Sequence, residues 1–98
     1  MNRQERAELN RILPGTRWQP LRNGDVQAYC GKVLLQVERM PFGEGICASL
    51  WCQEPDSIGH WRQVAKWQRQ TVAEAVEGLR VQLQIHIAAV QSLAGLEP

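Results

Sequence analysis

The residues of this 98-residue chain best suited to reactive chemistry are three cysteines, Cys30, Cys47 and Cys52, and two histidines, His60 and His86. Cys47, Cys52, His60 and His86 could together supply the four ligands of a zinc site. Their spacing argues otherwise. Cys47 and Cys52 are five positions apart in a segment that alternates like a strand, so their sulfurs point to opposite faces. A Cys–His nucleophile pair has no glycine elbow or oxyanion motif beside it. Asp25 and Asp56 both sit in turn sequences rather than as paired carboxylates. The cysteines therefore read as small buried hydrophobes and His86 as a hydrogen-bonded structural histidine. The expectation is a protein with no catalytic residues, no metal and no cofactor.

A second candidate is the run His60-Trp61-Arg62-Gln63-Val64-Ala65-Lys66-Trp67-Gln68-Arg69, which interleaves aromatic and basic residues. Single-strand binders use such a mixture, stacking bases on rings while cations follow the phosphates. Strict alternation puts Trp61, Ala65 and Trp67 on one face and Arg62, Val64 and Lys66 on the other. Arg62, Lys66 and Arg69 are the expected nucleic-acid contacts, with the two Trp packed under a helix. The whole chain has 11 Lys+Arg against 10 Asp+Glu, a net charge of +1. That balance excludes a strongly basic nucleic-acid binder and an acidic mimic of nucleic acid, so such contact is weak.

Positioning these groups takes few elements. Asn2 with Glu5 forms a capping box, and Leu9, Ile12 and Leu13 follow at helical spacing until Pro14-Gly15. This stripe is short, and it predicts a weakly packed or partner-facing arm over 1–15. From Thr16 the period changes to two. Strands are predicted over Thr16–Leu21, Val26–Cys30, Val33–Met40, Ile46–Cys52 and His60–Gln68, with Asn23-Gly24 as the first hairpin turn. Pro20 marks the first strand as an edge. Thr71-Val72-Ala73-Glu74 then caps a long helix over 71–94. Its core stripe is Val72, Val76, Leu79, Leu83, Ile87 and Val90, about 80° wide. The fold class is α+β: a single domain over 1–98 with a short N-terminal helix, a four- to five-stranded antiparallel meander over 16–69, and one long C-terminal helix on one sheet face.

That helix carries a second apolar stripe, which includes Gly78, Val81, Ile85, Ala88 and Ala89. One sheet covers one helix face. The other face is covered by the N-terminal helix, or is tolerated as scattered exposed apolar surface, or is covered by another protein, in the form of a host complex subunit or a second copy that makes a homodimer. Val81, Ile85, Ala88 and Ala89 are thus the expected protein interface. Phe42 and Ile58, each a lone large apolar residue in a glycine-containing loop, are its expected anchors. No apolar run reaches the 18–20 residues of a membrane span, no signal-peptide pattern is visible, and an odd cysteine count fits reduced thiols. The expected compartment is the cytoplasm.

The order of Trp18-Gln19-Pro20-Leu21-Arg22-Asn23-Gly24-Asp25-Val26-Gln27-Ala28, the strand after Gly31, Trp61–Trp67 and the capped helix from Thr71 resembles small phage and mobile-element proteins. Some anti-CRISPR proteins are also single α+β domains of this size. The resemblance spans nearly the whole chain in layout and assigns no functional residue. It implies a non-enzymatic protein that occludes a surface of a host defence complex. The near-neutral charge sets it apart from DNA-mimicking inhibitors. The alternative is a small nucleic-acid-binding accessory protein.

Overall fold

The computed structural model describes the backbone of residues 1–21, 23–40, 43–54 and 59–93, with side chains up to 86. Helix α1 (Arg3–Ile12) starts at its capping box. The Glu5 N–H donates to Asn2 Oδ1 at 2.8 Å, and the Asn2 N–H donates to Glu5 Oε1 at 3.1 Å. The strands are β1 (Gln19–Pro20), β2 (Val26–Cys30), β3 (Val33–Arg39), β4 (Ile46–Gln53) and β5 (Trp61–Arg69); helix α2 (Val72–Leu93) follows. All strand pairs are antiparallel in the order β1-β2-β3-β4-β5, the expected meander. Only β1 is much shorter than expected: pairing covers Gln19 and Pro20 alone. At the Asn23-Gly24 hairpin, Gly24 takes a φ of +87°, a backbone conformation that favours glycine.

Both helices lie on one sheet face. Val26, Leu35, Val37, Ile46, Ala48 and Leu50 meet Val72, Ala75, Val76 and Leu79 of α2 there. Leu9 of α1 is 1% exposed within this same core, and Ile12 and Leu13 pack against it. The N-terminal helix is therefore a structural part of the helical layer, not a loosely held arm. Its short stripe is enough because α2 and the sheet together enclose Leu9, and an Arg39–Glu5 ion pair ties the helix to β3.

One register change alters every face beyond it. Leu50 pairs with Ala65, but Trp51 pairs with Gln63, which leaves Val64 as an extra residue in β5. Such a β-bulge reverses the in–out parity of the strand on its far side. Ala65 and Trp67 stay on the helix-covered face, beside Leu50 and Ala48. Trp61 moves to the open face, where its ring lies 5.6 Å from that of Tyr29. The expectation that Trp61 and Trp67 share a face is corrected by this single inserted residue. Arg62 changes face in the same way: it pairs with Cys52, whose Sγ meets α2.

Candidate functional site

The structure brings one Cys–His pair together. Cys52 Sγ on β4 lies 3.5 Å from His86 Nε2 on α2. Burial pushes the Cys52 thiol above its ordinary value, and nearby Arg62 offsets this only in part. The group is thus a neutral thiol at neutral pH, a hydrogen-bonding partner for the imidazole and a poor nucleophile. Cys47 lies on the opposite sheet face from Cys52, next to Ser49 in β4, and burial raises its thiol as well. Among the described residues no three His, Cys, Asp or Glu side chains converge in a way that could hold a metal ion.

The open sheet face carries a small aromatic cluster. Leu34 pairs laterally with Tyr29 and Trp51, and it is buried although no helix covers it. Trp51 Nε1 donates to Ser49 Oγ at 2.9 Å, and Tyr29 meets Trp61 at an interplanar tilt of 53°. The rings are thus engaged with their own sheet, in a satellite cluster to the main core. The three expected nucleic-acid contacts do not form one patch. Lys66 stands opposite Ser49 on the open face. Arg62 lies across the bulge, 3.7 Å from Glu54, and Arg69 donates to the Gln68 carbonyl at 2.7 Å on the helix-side parity.

The other side of the molecule differs. β5 is nine residues long and is the last strand of the sheet, and among the described residues no strand pairs with its outer edge. Helix α2 runs beside it. Gly78 lies against Trp67 so closely that a Cβ there would come within 2.6 Å of Trp67 Nε1. That indole nitrogen donates to the Ala75 carbonyl at 3.0 Å, which fixes the ring between strand and helix. A groove of about 540 Å³ follows, its floor formed by Ala65, Trp67 and Gly78 and its rim by Val81. Val81 is 41% exposed, and Ile85, one turn further along the same helix face, is 56% exposed.

Of the expected interface residues, Val81 and Ile85 therefore stand exposed as anticipated, and α1 does not cover them. Phe42, Ile58 and the side chains of Ala88 and Ala89 lie outside the described residues. Sequence reasoning pointed to the sheet rim without singling out the β5 edge. The edge was available in principle, since the last strand of a meander has one neighbour only. Among the described residues no helix is long and apolar enough to cross a membrane. No family model matches the chain, and no curated protein or solved structure is significantly similar to it.

Proposed function

We propose that this chain is a non-enzymatic protein-interaction module that acts in the bacterial cytoplasm and docks its partner on the side formed by β5 and α2. The observation that carries this reading is the coincidence of a nine-residue strand edge with which no described strand pairs and exposed apolar side chains on the helix beside it. Val81 and Ile85, on one face of α2, are exposed large apolar side chains, and Val81 rims the groove beside β5. Unpaired edges invite another chain, and native proteins normally blunt or cover them. Exposed apolar rims beside such an edge add the area an interface needs. The layout's resemblance to small phage inhibitors suggests the mode of action, steric occlusion of a larger host complex.

Affinity capture from the producing cell tests this. The wild-type chain retains a protein partner in high salt, and Val81→Glu with Ile85→Glu loses it. Retention of nucleic acid alone, released steeply by salt and abolished by Arg62→Glu with Lys66→Glu, would replace this reading with the nucleic-acid one.

A further inference from the structure

We infer that the β5 edge takes up an extended, acidic segment of another protein as a sixth strand of the sheet. This rests on the reading of β5 and α2 as the docking side, and it names what docks there. The two sheet edges are unequal. β1 has two residues and ends in Pro20, which has no N–H to offer a new strand. β5, by contrast, continues without interruption beyond its bulge, from Ala65 to Arg69, paired inward with Leu50 to Ile46. The outward-pointing backbone groups of that stretch alternate along the edge as an added strand needs for main-chain hydrogen bonds, and the Arg69 guanidinium, which now holds the Gln68 carbonyl, gives up that contact when a strand adds.

Charge decides between a second copy and a different chain. Residues 60–69 hold Arg62, Lys66 and Arg69 and no carboxylate. An antiparallel pairing of two β5 strands sets Arg62 opposite Arg69 in one register and Lys66 opposite Lys66 in the next. No register produces an opposite-charge pair, and like charges directly opposite are destabilising. Edge cations and a bulge are the devices that keep identical edges apart. The same cations attract a strand of opposite sign. Lys66 and Arg69 make no ion pair with any described residue; of the groove's own carboxylates, Glu77 is paired with Arg80, whereas Glu74 accepts only from the Thr71 hydroxyl and keeps its charge, at the helix side of the groove rather than opposite Lys66. An added strand that puts a carboxylate opposite Lys66 puts its next residue on the other face, opposite Trp67 and toward the groove rimmed by Val81. The segment that fits is therefore about five residues long, alternating acidic and apolar.

Two blocked nonapeptides, one alternating Val and Glu and one alternating Val and Lys, test this when titrated into the full chain and followed by amide NMR and hydrogen exchange. The expected result is shifted resonances and slowed exchange over Ala65–Arg69, with shifts at Val81, for the acidic peptide. Its binding should be about fivefold tighter than that of the basic peptide at low salt, as one exposed ion pair opposite Lys66 allows. Lys66→Glu should reverse the order. Equal binding of both peptides at Ala65–Arg69 would overturn the acidic selection and leave the docking side standing. Shifts confined to Gln27, Tyr29 and Trp61 would overturn the docking side as well. Failure of both peptides to bind at millimolar concentration, or a dimer by light scattering with the β5 amides already protected, would overturn strand addition by a different chain.

Discussion

Gly78 should be a glycine for one reason, and its replacement measures that reason directly. An exposed mid-helix glycine replaced by alanine stabilises a helix by about 1 kcal/mol. Here the new Cβ would sit 2.6 Å from Trp67 Nε1 and 2.8 Å from Cε2, closer than side-chain carbons are found. Relief requires the indole to move, and moving it stretches the bond to the Ala75 carbonyl. Overpacking of this kind costs about 1–3 kcal/mol, and the lost hydrogen bond about 1 kcal/mol. After subtracting the propensity gain, Gly78→Ala should destabilise the chain by about 1–3 kcal/mol, a fall of roughly 10 °C in Tm at the middle of that range. Urea unfolding followed by Trp fluorescence reads this as a lower midpoint at unchanged slope. In a Trp67→Leu background the same substitution should become neutral or stabilising, since the ring it strikes is gone. A stabilising Gly78→Ala in the otherwise native chain would refute the packing of α2 on Trp67, and with it the floor of the docking groove.

Other expectations follow from the same geometry. Leu9→Ala should cost about 2–5 kcal/mol by urea unfolding, the penalty of a core leucine and not of a loose arm. At Glu5, burial alone would raise the carboxyl, but the Asn2 N–H and Arg39 outweigh it and hold the group below its ordinary value of 4.5. A depressed carboxyl contributes stability above that value and loses it as pH falls through the lower folded value. Glu5→Gln should therefore lower stability at pH 7 and flatten its fall below about pH 4.5, seen in thermal unfolding across pH. Burial holds the Cys52 thiol above 9.0 despite Arg62, so its alkylation should be slow at pH 7 and accelerate only in alkali. Fast labelling at neutral pH, monitored by peptide mass, would instead identify Cys52 and His86 as an activated pair.

Much of this architecture is legible in the sequence because its signals are local. The Asn2–Glu5 box, the Asn23-Gly24 turn and the Val72–Leu83 stripe each specify their element without reference to the rest of the chain. The bulge at Val64 is not local. Arg62, Gln63, Val64 and Ala65 suit a strand in either parity, and only pairing with Trp51 and Leu50 shows which residue is extra. Every assignment of faces before it, Trp61 and Arg62 included, inherits that ambiguity. The role of α1 is hidden for a related reason: three apolar residues mark a weak helix, and the pocket that buries Leu9 is made by elements far away in sequence. Val81 and Ile85 are visible on the helical wheel, and the edge beside them is implied by a meander whose last strand has one neighbour; what needs the structure is that α2 runs along that edge.

The central claim is that partners meet the chain at β5 and α2 and not at the open sheet face. Site-specific photo-crosslinking in the producing cell tests it most directly, with a photoreactive residue placed in turn at Val81, Ile85, Gln27 and Tyr29. A discrete protein adduct is expected from Val81 and Ile85 and none from Gln27 or Tyr29. Adducts from the open-face positions alone would contradict it.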